Sequence, residues 1–150
     1  MFRPQTLADV AQRARESHSE LYTALNEFAD EFYLDHPDKA TQQRRIDAIP
    51  EPAGEALIDA LIGAVGEHLA QRWGLRVPDW TQRPIHFALE EPRFLPNSRA
   101  LRGALIVESP PAFRSRLLFT GAEPLDRARF PNVARARVPL DWPPRADEVR

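Results

Sequence analysis

Cysteine is absent from the 150 residues, and lysine is reduced to Lys39 alone. Without cysteine there can be no disulfide, no thiolate metal site and no cysteine nucleophile, so the folded state must rest on packing. Glycine is sparse: six residues, scattered, in neither the G-x-x-x-x-G-K-[ST] nor the G-x-G-x-x-G pattern, which excludes phosphate loops of those kinds. No G-x-S-x-G elbow presents a serine nucleophile. His18, His36, His68 and His86 form no H-x-x-x-H pair, so neither a zinc centre nor another metal or cofactor is expected. No run approaches eighteen apolar residues, and Met1-Phe2-Arg3-Pro4-Gln5 does not resemble a signal peptide. The expectation is a soluble, cytoplasmic protein without membrane contact.

What the chain does have is charge divided along its length. Residues 1–70 hold 6 basic and 13 acidic side chains, and residues 71–150 hold 14 basic and 9 acidic. The overall −2 is therefore the sum of −7 and +5. Nearly all of the positive charge is arginine, whose planar fork binds carboxylates and phosphates and stacks on aromatic rings. An arginine-rich half is a candidate recognition surface. An arginine-favouring genome accounts for the same composition.

The first half carries helical periodicity. Thr6 followed by Asp9 predicts a capped start, with Leu7, Val10, Ala11 and Ala14 on one face. Ser19 predicts the cap of a second segment with Leu21, Tyr22, Leu25, Phe28, Ala29 and Phe32 at helical spacing, ending near Leu34 ahead of His36-Pro37. These are two helices or one bent one. A short helix over 41–48 would be anchored by Ile46 and Ile49. Ala53–Trp73 carries the strongest pattern, with Gly74 placed to end it. Gly63 and Gly66 inside that helix each cost roughly 1 kcal/mol against alanine and predict the close approach of another backbone, as in a helix crossing. Beyond residue 70, where eleven of the fifteen prolines lie, only short helices are expected. They fall over 98–107 (Leu101, Leu105 and Ile106 inward), 111–119 (capped by Ser109) and 124–130, with small β pieces near 84–89 and 116–120.

The fold expected is mainly α: a single-domain irregular helical bundle around one long central amphipathic helix, with short helices and loops in the C-terminal half. Residues 1–130 form the domain, acidic over 1–73 and basic over 74–130, with Trp73, Leu75, Val77 and Trp80 packing across the junction. Residues 131–150, with four prolines, form an extended or disordered tail. If the halves pack together, part of the positive charge meets the negative within one molecule.

Chemistry has three candidate locations. Glu27, Asp30, Glu31, Asp35 and His36 form an acidic cluster, read as a solvated helix face and not a metal site. A general acid–base reading would use Glu27, Glu31, His36 or His68. The third location is the stretch 93–137, with nine arginines against three acids. There Arg93, Phe94, Arg99, Arg102, Phe113, Arg114 and Arg116 could contact a protein partner, or grip phosphate and stack a base. The structural alternative places the phenylalanines in the core and pairs the arginines with the acidic half.

Several runs are familiar: Phe28-Ala29-Asp30-Glu31-Phe32-Tyr33; Glu67-His68-Leu69-Ala70 leading to Gly74-Leu75-Arg76-Val77-Pro78-Asp79-Trp80; Pro92-Arg93-Phe94; Ser98-Arg99-Ala100-Leu101; and Glu108-Ser109-Pro110-Pro111-Ala112-Phe113-Arg114. Together, over roughly residues 25–130, they resemble a family of small uncharacterised bacterial proteins. Genes of that family often neighbour one for a nucleotidyltransferase-like protein, in the manner of toxin–antitoxin pairs. The resemblance implies a non-enzymatic, antitoxin-like or accessory partner of such a protein, and it hands over no catalytic residue. Its recurring pieces, His68, Trp80 and the turn from Ser109 to Arg114, also read as a core histidine, a core tryptophan and a helix cap. Many members of that family carry a DNA-reading helix-turn-helix ahead of this region. The stretch before Phe28 is too short for one, so DNA autoregulation is not expected of this chain.

Overall fold

The computed structural model describes residues 3–128 and 130, so the expected tail over 131–150 lies outside the described residues. Within them the chain is mainly helical. Helix α1 (Leu7–Glu16) begins at Thr6, whose hydroxyl accepts the Asp9 N–H at 3.2 Å while the Asp9 carboxylate accepts the Thr6 N–H. This reciprocal pair satisfies two of the free donors of the first turn. One 3₁₀ turn, His18–Glu20, separates α1 from α2 (Leu21–Leu34), so the segment is two helices. Ser19 does not cap α2; its hydroxyl meets that of Ser17 at 3.0 Å, and Glu20 precedes the helix without a side-chain cap. Leu21, Leu25, Phe28, Ala29 and Phe32 are buried as the spacing predicts, whereas Tyr22 is turned outward.

Helix α3 (Lys39–Asp47) is capped by Asp38, which accepts the Thr41 N–H. Ile46 anchors it, while Ile49 is exposed, because the helix has ended before that residue. Helix α4 (Ala56–Trp73) starts three residues later than its periodicity suggests, since Gly54 at φ 87° leaves the right-handed helical region; the Ala53 N–H is taken by the Asp59 carboxylate at 2.8 Å. Gly74 closes α4 at φ 72°, a left-handed conformation that only glycine adopts without cost.

Helix α4 is buried on almost every side and forms the central post. Against it pack α1, the 3₁₀ turns Asp79–Gln82 and Pro84–Phe87, and a short helix, α6 (Pro111–Arg114). The partners of its two glycines are side chains of those turns, in place of the predicted crossing helix. A Cβ on Gly63 would lie 2.6 Å from Cβ of His86, and one on Gly66 would lie 3.0 Å from Trp80 and Thr81. Trp80 is fixed in turn by donating its indole N–H to Ile46 O at 2.9 Å.

The second half departs furthest from expectation. Residues 84–87 are a 3₁₀ turn and not a strand, with Pro84 setting its first turn. A two-residue parallel ladder joins β1 (Arg93–Phe94) to β2 (Leu118–Phe119), the β piece expected near 116–120. Between the strands lie a 3₁₀ turn, Arg99–Leu101, helix α5 (Arg102–Glu108) and α6, which stops at Arg114. Residues 124–128 form turns, not a helix, held by Tyr33 Oη donating to Leu125 O at 2.7 Å. Phe130 then closes against Tyr33 and Trp73, both at 5.3 Å between ring centroids.

The two charge halves do pack together. Arg116 meets Glu67 at 2.7 Å, Arg76 meets Asp47 at 2.7 Å and Arg127 meets Asp30 at 3.0 Å. Within the acidic half, Arg13 holds Glu20 and Glu27, Arg3 holds Glu31 and Arg45 holds Asp35. The acidic cluster on α2 is thus laced with arginine. No helix among the described residues is long and apolar enough to cross a membrane.

Candidate partner-binding surface

The seven residues proposed as contacts separate into two groups. Phe113 and Arg116 are buried and do not face a partner. Phe113 closes the core above α4, edge-on to His68 at 5.6 Å. The Arg116 guanidinium donates to Glu67 Oε1, Ala112 O and Thr81 O, each at 2.7 Å, and lies 4.1 Å above the Phe87 ring. Burial pulls its pKa down and Glu67 opposes that shift. It is an internal cross-brace between α4, the Asp79–Gln82 turn and α6.

Arg93, Arg99, Arg102 and Arg114 are exposed, and none of them enters an ion pair among the described residues. Arg114 donates to Ser109 O at 2.6 Å and Val107 O at 3.3 Å, where a cation suits the negative end of α5. Phe94, half-buried, stacks on Phe119 at 5.2 Å with 24° between the rings, and the Arg102 guanidinium lies 5.0 Å from its centroid. Arg93, Phe94 and Arg102 line one open hollow with Glu91, Leu95 and Asn97.

Beside this hollow lies the least expected feature, helix α5. Between Arg102 and Glu108 its five middle residues, 103–107 (GALIV), are apolar around the whole circumference, yet only Leu105 is buried. Ile106 is 49% exposed, Val107 77% and the preceding Leu101 46%, with Gly103 and Ala104 also outward. An all-round apolar helix is normally covered on all sides. Leu101 and Ile106, expected in the core, instead extend the surface. The inward turn of α5 is set by Leu105 and by Ser109, which does not cap α6: its hydroxyl donates to Leu105 O and accepts the Thr120 N–H at 2.8 Å. That pair of bonds fixes α5 to β2, so the apolar face stands on a rigid support.

The residues of the acid–base reading are held in packing roles. Glu27 and Glu31 are paired with Arg13 and Arg3. His36 packs against the Trp73 ring at 5.5 Å. His68 is buried, and desolvation pushes its pKa down to about 4. Among the described residues no group of three or more His, Asp or Glu side chains is arranged to hold a metal ion. Comparison with known proteins gives no match among protein-family models, curated proteins or solved structures.

Proposed function

We propose that this protein is a non-enzymatic interaction module that docks a protein partner on the outward face of α5 and the adjoining β1 hollow. The observation that carries this reading is a supported apolar helix face, Leu101, Ile106 and Val107, edged by the arginines Arg93, Arg99 and Arg102, which have no ion-pair partner among the described residues. Apolar residues with arginine at their margin are the composition of interface centres. The partner surface that fits is apolar with carboxylates at its edge. The sequence resemblance supplies the candidate: a nucleotidyltransferase-like protein, toward which this chain would act as an antitoxin-like or accessory subunit.

The test is co-expression of the tagged chain with the product of its neighbouring gene, which this reading requires to be nucleotidyltransferase-like. Wild type should co-purify with it, and the double variant Ile106→Asp, Val107→Asp should not. Two carboxylates desolvated in an interface, at about 2 kcal/mol each or more, weaken binding by several hundred-fold or more. Far-UV circular dichroism and Tm should stay at the wild-type values, since both side chains point outward. Undiminished co-purification of the double variant would remove the reading.

Nucleic-acid binding through the same arginines is the second reading, and the geometry of Phe94 weighs against it. With Phe119 stacked on the Phe94 ring and Arg102 placed over it, little of the ring is free for a base. A steep loss of RNA or single-stranded DNA affinity with salt would restore that reading.

A further inference from the structure

A second hollow lies between α2, α4 and the segment 120–125, adjoining the first through Leu95, with a volume of about 180 Å³. Its walls are Leu25, Leu61, Val65, Phe113, Leu95 and Leu125. The first four of these are each 5% exposed or less, so the walls are held by the core and the shape exists before any ligand arrives. A cavity of roughly 150 Å³ with such a lining accommodates a benzene ring, and drug-sized ligands need about 300 Å³ or more. The size therefore selects a compact one- or two-ring molecule.

The rim sets the polarity. Arg72 holds Glu123 through its Nε at 3.1 Å and Nη2 at 2.8 Å, so the acid at the edge is already neutralised, and among the described residues no cationic side chain lines the hollow. Tyr22 and Asn26 stand at the mouth, and their side-chain polar groups make no hydrogen bond among the described residues. An apolar floor with an amide and a hydroxyl at its opening suits a ligand that buries a ring and turns one N–H or O–H outward.

We propose that this hollow is a binding site for small neutral aromatic molecules bearing a single hydrogen-bond donor, of the indole or phenol type. The site contains none of the exposed α5 side chains, meets the β1 hollow only at Leu95 among the described residues, and needs no partner protein. Its ring is received by Leu25, Leu61, Val65 and Phe113, and its donor is accepted by the Asn26 amide oxygen or the Tyr22 hydroxyl.

The probe is indole, titrated to millimolar concentration into the full chain with ¹³C-labelled leucine and valine methyl groups. Saturable shifts are expected at Leu25, Leu61, Val65, Leu95 and Leu125 and not at Leu101 or Val107. Indene, which has the same shape without the N–H, should bind several-fold more weakly. Asn26 is exposed on α2, so its replacement leaves the core intact. Asn26→Trp should plug the mouth and abolish the shifts. Asn26→Ala should still bind indole but with much less preference over indene. Absent or non-saturable shifts, shifts scattered over the surface, equal wild-type affinity for indole and indene, or an Asn26→Trp variant that binds like wild type would each overturn the proposal.

Discussion

Replacing Arg116 by alanine is the sharpest test of how the two halves are joined. The side chain has no exposed surface, and its guanidinium binds one carboxylate and two main-chain carbonyls while covering the Phe87 ring. Removing it strands two buried carbonyls and leaves Glu67, itself 17% exposed, with only Gln82 and Gln71 as donors among the described residues. Breaking a buried pair in this way costs about 3–5 kcal/mol. In a chain of this size each kcal/mol moves Tm by about 2–4 °C, so a fall of roughly 6–20 °C follows. Arg116→Met retains the apolar stem and can fill most of the space, so it should recover part of the loss. Glu67→Gln keeps a hydrogen-bond acceptor but leaves the fully buried guanidinium without a counter-charge, so it should also cost about 3–5 kcal/mol. Urea denaturation followed by circular dichroism reads all three. A loss below about 1 kcal/mol for Arg116→Ala, the range of an exposed ion pair, would show that the brace does not hold the halves together.

Gly63→Ala gains roughly 1 kcal/mol of helix propensity but places a methyl 2.6 Å from His86 Cβ and 2.9 Å from its Cγ. The strain, about 1–3 kcal/mol, should make the variant less stable by calorimetry; a higher Tm would refute the close approach. His68 gives a pH signature, because its folded pKa is pushed to about 4 against about 6.5 when unfolded. Its neutral form is the one the fold accommodates, so this contribution is complete above pH 6.5 and is lost as pH falls toward 4. At 1.36 kcal/mol per pKa unit the span is about 3 kcal/mol. His68→Leu should flatten the fall of urea midpoint over that window by a comparable amount, and an unchanged pH profile would count against a buried neutral imidazole.

Legibility from sequence followed the range of the interactions. The Thr6 cap of α1, the apolar stripe of α2 and the Gly74 stop of α4 rest on residues close in sequence, and each was readable. Ser109 was misread because a serine ahead of two prolines has the local form of a helix cap, while its hydroxyl is claimed by Thr120, eleven residues on. Arg116 looked like a surface charge because Glu67, its counterion, lies 49 residues away. The small β pieces and the acidic half's arginine lacing likewise depend on partners that no local pattern names. At α5 the failure was of another kind. A helix that is apolar all round gives periodicity no direction, so the inward choice of Leu105 over Leu101 and Ile106 was open until the Ser109 hydroxyl fixed it. The α5 surface was therefore located in the right stretch of sequence with part of its membership wrong.

The aromatic cluster at the end of the domain has a bearing on synthesis. Tyr33 and Trp73 are closed over by Phe130, while Arg127 reaches back 97 residues to Asp30. At about 5–20 residues per second, a nascent chain waits roughly 5–20 s between making Asp30 and making Arg127. During that interval α2 and α4 can associate, but Tyr33 and Trp73 still lack the segment that seals them. A ribosome stalled before Leu125 therefore displays an unsealed aromatic seam, so the last described segment works as a completion mark. Protease resistance should be gained only once residue 130 has cleared the exit tunnel.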